Sequence, residues 1–279
     1  MCITSAEALL SGTRIYAGEA RRRGQLVHVL AYQNSAKSLV RGPNAMILPL
    51  PAAVMPGRDN VLDTRGYKDF LKSICNATMD PNAPRAASAR GIAGKGMADV
   101  FNVGSYTVVL ASSAAQVPEA LTRVPPEKRP AINEEVLSSF TANYPGWPLA
   151  VCCWDGSIEA EPLLWWYEPI STEVLFAPGL DAHDGKAPRK QQVKVDAIVC
   201  FGSTLRPVGE TPVTYRDVPE DVAQFLPPSA VGEKITGAMP NGDYWYPTQN
   251  LTAGGNAKVA YRQWPTQGSP NTPFALGTW

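Results

Sequence analysis

Histidine is scarce, with two in 279 residues (His28 and His183), and charged side chains make up 18% of the chain where about 25% is usual. Two imidazoles cannot furnish a histidine-rich metal centre. The five cysteines (Cys2, Cys75, Cys152, Cys153, Cys200) show no CxxC spacing, so a zinc site has no support and no metal or cofactor is expected. Charge of one sign is also missing: Lys+Arg 25 against Asp+Glu 25 leaves no basic footprint for nucleic acid or an anionic membrane. The longest apolar stretch, residues 45–55, is broken by Pro49 and Pro51 and falls short of the roughly 20 residues that span a bilayer. Residues 1–14 lack the early positive charge and unbroken apolar run of a secretory signal. With an odd number of cysteines, this favours a cytoplasmic protein with reduced thiols. No repeat, heptad or low-complexity tract occurs, and alternating βα units are absent, which argues against a Rossmann or TIM-type enzyme.

Proline (26) and glycine (23) are abundant and spread between short apolar runs, the pattern of many strands and turns. The length suits one large domain or two small ones and buries about three quarters of the unfolded surface. Residues 13–16 and 26–32 predict a hairpin, with the polar stretch 18–24 as its loop and Arg21, Arg22 and Arg23 near the tip, as a solvated loop or a phosphate contact. Residues 44–51, 100–111, 148–154, 161–167, 172–176 and 193–201 read as further strands. Tyr67, Phe70, Leu71 and Ile74 lie at helical spacing, with Asp63 or Thr64 as N-cap. Residues 114–121, 134–143 and 218–225 supply other short helices. Residues 76–97 read as a long loop or lid, whose Gly94-Lys95-Gly96 does not fit a phosphate loop. The expected fold is α+β, mainly antiparallel sheet with a few short helices. A core domain covers 1–202, and a Pro/Gly/aromatic-rich region, 203–279, packs on it or on a partner. Trp264, Phe274 and Trp279 serve as anchors of that tail.

Four strings in order carry a resemblance: Met1-Cys2-Ile3, the segment LAYQN (30–34) followed by NAMILPLP (44–51), VGSYTVVLA (103–111) and LFAPGLDAHDG (175–185). The set resembles a family of uncharacterised bacterial proteins that begin Met-Cys and carry AMILP.P and LF.P..H.HDG motifs. The likeness covers roughly residues 1–202 and implies a shared fold without a known activity. Asp181 stands where the late motif has its first histidine, while His183, Asp184 and Gly185 match. The opening also resembles cysteine-type amidohydrolases of the N-terminal-nucleophile class, in which the nucleophile begins a strand and a hairpin follows.

Cys2 is the first catalytic candidate. Removal of Met1 would leave a cysteine whose own α-amine can take the thiol proton; a retained methionine would leave it needing an external base. His183 is that base if folding brings it to Cys2, with Asp181 or Asp184 orienting the ring. Asn34 and Asn44 are candidate amide donors to an oxyanion. Each has a plainer reading: Cys2 as a small buried residue, His183-Asp184-Gly185 as an ordinary turn, the asparagines as caps of strand ends, and His28 as a satisfied sheet residue. The turn 241–243 is read without functional weight. The trios Trp165-Trp166-Tyr167 and Tyr244-Trp245-Tyr246 must be covered by the tail, a ligand or another subunit.

Two functions remain open. The first is a cysteine-dependent hydrolase or acyl-transfer enzyme acting on a small amide-like substrate through Cys2, His183 and Asp184. The second is a non-enzymatic, self-assembling or binding protein that uses the C-terminal aromatic region.

Overall fold

A computed structural model describes residues 2–79 and 100–265. The loop expected at 76–97 lies beyond residue 79 outside the described residues, as do Lys95, Phe274 and Trp279. Mostly antiparallel strands with a few short helices form the molecule. The strands are β1 (Ile3–Thr4), β2 (Ala8–Arg22), β3 (Gln25–Ser38), β4 (Asn44–Pro49), β5 (Val100–Val103), β6 (Tyr106–Ala111), β7 (Leu149–Trp154), β8 (Ser157–Glu159), β9 (Leu163–Tyr167), β10 (Val174–Ala177), β11 (Gln192–Ser203), β12 (Ala230–Pro240), β13 (Asp243–Pro247) and β14 (Tyr261–Gln263). The helices are α1 (Phe70–Met79), α2 (Val117–Leu121), α3 (Glu134–Asn143) and α4 (Glu220–Ala223). None is long and apolar enough to cross a membrane.

One sheet runs β1-β4-β7-β6-β5, a second β12-β11-β2-β3-β8 with β9 also on β3, and a third β10-β13-β14. Among the described strands all pairs are antiparallel except β2 with β11. Period-two alternation decides the layers. Ile15, Ala17 and Leu30 of the second sheet meet Met46, Leu48 and Cys152 of the first in a central core. Ile47, Val109 and Val151 face outward onto α2 and α3, and Tyr16, Val27 and Val29 onto α1 and α4. The order is helix, sheet, sheet, helix. Each large side chain sealed in this way stabilises the fold by about 1.5–3 kcal/mol before ordering costs.

Several elements differ from their sequence reading for local reasons. The polar stretch 18–24 is not a loop: β2 continues to Arg22, and the turn is Arg23-Gly24, both at positive φ (51° and 85°), as a two-residue hairpin turn requires. Glu19 is tolerated inside the strand because Ser203 and Arg206 hold its carboxylate at 2.9 and 2.6 Å. The run 100–111 folds back at Gly104 into two strands, β5 and β6. Helix α1 starts at Phe70, not Asp63, because Asp63 pairs with Arg65 and the Thr64 hydroxyl bonds the Pro162 carbonyl at 2.6 Å. Residues after 202 supply strands to the sheets themselves: β12 pairs with β11 along its length, and β13 with β10. The aromatic trio of β13 is consumed internally, Trp245 against Phe176 and Tyr246 stacked on Phe201.

His28 faces the central core, paired across the sheet with Glu19 and Tyr167. It is not a satisfied sheet residue: its Nε2 is buried without a hydrogen-bond partner among the described residues, and burial lowers its pKa to about 4. The unfolded chain therefore takes up this proton first as pH falls. Stability conferred by the neutral ring is complete above about pH 6.5 and is lost toward pH 4, a change of about 3 kcal/mol. Urea unfolding at pH 7 and pH 4 should show that extra loss in the natural chain and not in His28→Gln; equal losses in both would contradict it.

Candidate functional site

The connection from β10 to β11, residues 178–191, carries the late sequence motif and lies against the N-terminal strand. Ile3 bridges Ala182 in parallel, with Thr4 N–H donating to the Ala182 carbonyl at 2.9 Å and Ala182 N–H to the Cys2 carbonyl at 3.1 Å. Ala8 N–H reaches the His183 carbonyl at 2.9 Å. Gly185 makes this approach feasible: its φ is +72°, and a Cβ there would stand 2.9 Å from the Ser5 carbonyl oxygen.

Within this junction Asp181 is the meeting point. Its Oδ1 accepts from the Cys2 backbone N–H at 3.3 Å and lies 2.7 Å from His183 Nε2. Burial alone would raise this carboxyl, but His183 and the Cys2 N–H overcome it and hold the pKa at about 2. The Cys2 side chain points the other way, into the central core, where it is 2% exposed. Burial pushes its thiol up to about 12, reinforced by Asp181 and opposed by a hydrogen bond with Tyr32. Cys2 and His183 are thus joined through the backbone and Asp181. Among the described residues no contact links the sulfur to the imidazole.

Asp184 does not reach the ring; it caps its own turn, accepting from Lys186 N–H at 3.1 Å with its side chain 57% exposed. Asn34 is sealed in the core, its Oδ1 accepting from the Tyr106 hydroxyl at 3.1 Å and its Nδ2 directed at Met46 Sδ. Asn44 ties β4 to the Ser5–Glu7 corner, accepting from Ser5 Oγ and Ala6 N–H and donating to the Ala6 carbonyl. Neither amide is available to an oxyanion.

What fixes the 178–191 loop comes from residues of the 241–243 turn, which has more weight than its sequence suggests. Asp243, fully buried, accepts from Gly179 and Leu180 N–H at 2.7 and 2.9 Å and from the Tyr144 hydroxyl at 2.6 Å. Burial raises its pKa, and these donors, with Arg262, pull it back. Asn241 accepts from Asp181 N–H and donates to the Asp181 and Arg189 carbonyls. Arg262, 8% exposed, donates to the Gly242 and Gly179 carbonyls and to the Tyr244 hydroxyl at 2.9–3.0 Å. Beside it opens a cleft of about 380 Å³, lined by Lys190, Asn241, Arg262, Gln263 and Trp264 with neighbouring residues, none of them acidic. Sequence reading passed over Arg262 and Asp243. Their one local signal is a lone charge within an aromatic strand.

No family model and no curated protein matches the chain. Among solved structures, the crystal structure of baculovirus P35 is similar at a TM-score of 0.44 and 13% identity over 95% of each chain. At that distance the likeness carries no inference about activity.

A thiol raised from 9.0 to about 12 holds about a thousandfold less thiolate at neutral pH. Peptide mass spectrometry after iodoacetamide treatment of the folded chain should find Cys2 alkylated at least a hundredfold more slowly than in urea. Equal rates would show an accessible, activated sulfur.

Proposed function

We propose that this chain is a non-enzymatic binding protein that takes a small anionic ligand in the cleft of its C-terminal region. The observation that carries the reading is the state of Arg262. A guanidinium has five N–H donors, three of the Arg262 donors are committed to neutral acceptors, and no carboxylate lies at ion-pair distance among the described residues. Buried Asp243 balances this charge across the Gly179 and Gly242 peptide groups and not by direct contact, so the remaining N–H donors of the guanidinium are open to an anion from solution. The cleft beside it adds Lys190, whose ammonium sits 5.8 Å from the ring centre of Trp264.

The rival reading, a Cys2-dependent hydrolase, draws on one observation: if the chain were trimmed to Cys2, its α-amine would lie on Asp181 beside His183. It also requires the sulfur to leave the core, which the alkylation measurement detects.

Lys190 is exposed, so Lys190→Ala leaves the fold intact. Calorimetric titration of the whole chain with acetate and with inorganic phosphate should give saturable binding by at least one. Lys190→Ala should weaken it about fivefold, as loss of about 1 kcal/mol from an exposed charge implies. Absence of binding by both anions would overturn the proposal.

A further inference from the structure

Arg262 lines a second, smaller hollow of about 160 Å³ between β11, β12 and the segment that leads into β14. Its walls are Val199, Phe201, Ile235 and Met239 from the sheet, with Ala257 and Ala260 opposite. Two charged groups border it, Arg262 and the exposed Glu233. An apolar hollow bordered by a cation that retains unused N–H donors suits a particular chemistry. Water inside it would find few partners along the aliphatic walls, whereas a hydrocarbon segment would lose contact with water there. A carboxylate head can take both remaining N–H directions of a guanidinium at once, which a single hydroxyl cannot. Glu233 sets the polarity of the hollow by repelling a negative head and so directing it to Arg262.

We infer that the ligand is a short-chain alkyl monocarboxylate, its head on Arg262 and its chain along Val199, Ile235 and Met239. This rests on the reading above that Arg262 takes an anion: the head stays on Arg262, which lines both the larger cleft and this hollow, and the chain is placed in the hollow. The two small alanines opposite the sheet are what leave room for the chain: a larger side chain at either position would occupy it.

The test is a calorimetric series on the whole chain with sodium acetate, butyrate, hexanoate and octanoate, and with butyl- and hexylammonium as controls of opposite charge. Affinity should rise about fourfold per methylene, the equivalent of about 0.8 kcal/mol, until the hollow is filled, and then level off. The ammonium ions should not bind. Ala260→Leu, and independently Ala257→Leu, should reduce hexanoate affinity to that of acetate while leaving acetate unchanged, with circular dichroism verifying the fold of each. Acetate and hexanoate binding equally to the natural chain would overturn the alkyl assignment and leave the anion site standing. Binding of hexylammonium as tightly as hexanoate would overturn the role of Arg262. If no carboxylate and no phosphate binds, both this inference and the reading beneath it fall.

Discussion

A single carboxylate, that of Asp243, organises the part of the molecule where function is sought. It lies at the first position of β13 and reaches two consecutive backbone N–H groups of the 178–191 loop and the hydroxyl of Tyr144, which follows α3. Three elements distant in sequence are tied by one side chain with no exposure to water. Loss of that acceptor would orphan three donors, each costing about 1–3 kcal/mol when buried. The close approach of the loop to the turn before β13 depends on it as well. A Cβ on Gly179 would meet the Gly242 carbonyl at 2.6 Å, so the two backbones touch without room for a side chain.

Arg262 completes this arrangement from the opposite side by bonding the carbonyls of the same two glycines. The pair of buried charges is thus held apart by peptide groups instead of being joined directly. Each is solvated by backbone dipoles, which offsets part of the desolvation that a buried ion would otherwise incur. This division leaves the guanidinium beside two hollows with donors to spare, while Asp181, farther along the loop, engages the N-terminal strand. The cleft and the Cys2–Asp181–His183 junction share one loop, fixed by the 241–243 turn.

The strands that fill the core were legible from sequence because local composition determines them. Residues 149–154 are continuously apolar, and residues 44–49 end at a proline where the ladder ends. Helix α3 is marked by Asn133, which accepts from Glu135 N–H as an N-cap, and by Val136 and Phe140 on one face. Strand β12 was not legible: Gly232, Lys234 and Gly237 have little strand preference, and pairing with β11 supplies what composition lacks. The same holds for the site. Asp243 and Arg262 act on Gly179 across 64 and 83 residues, and no periodicity encodes contacts of that span. Cys2 and His183 were singled out by residue type, which is silent about direction. The sulfur faces the core and the imidazole faces Asp181.

The parallel pairing of β2 with β11 constrains how the chain can be made. Residues 13–19 align with 197–203, so during synthesis the first long hairpin leaves the ribosome with both outer edges open, and that of β2 waits for most of the polypeptide to follow. Contacts of such sequence separation form slowly, and an uncovered strand edge is a template for association with other nascent chains. Glu19 lies on that edge within the future core, its eventual partners Ser203 and Arg206 still untranslated. A solvated carboxylate there disfavours premature stacking of the hairpin onto apolar surfaces, and the arrival of its partners releases the restraint when the correct neighbour is at hand.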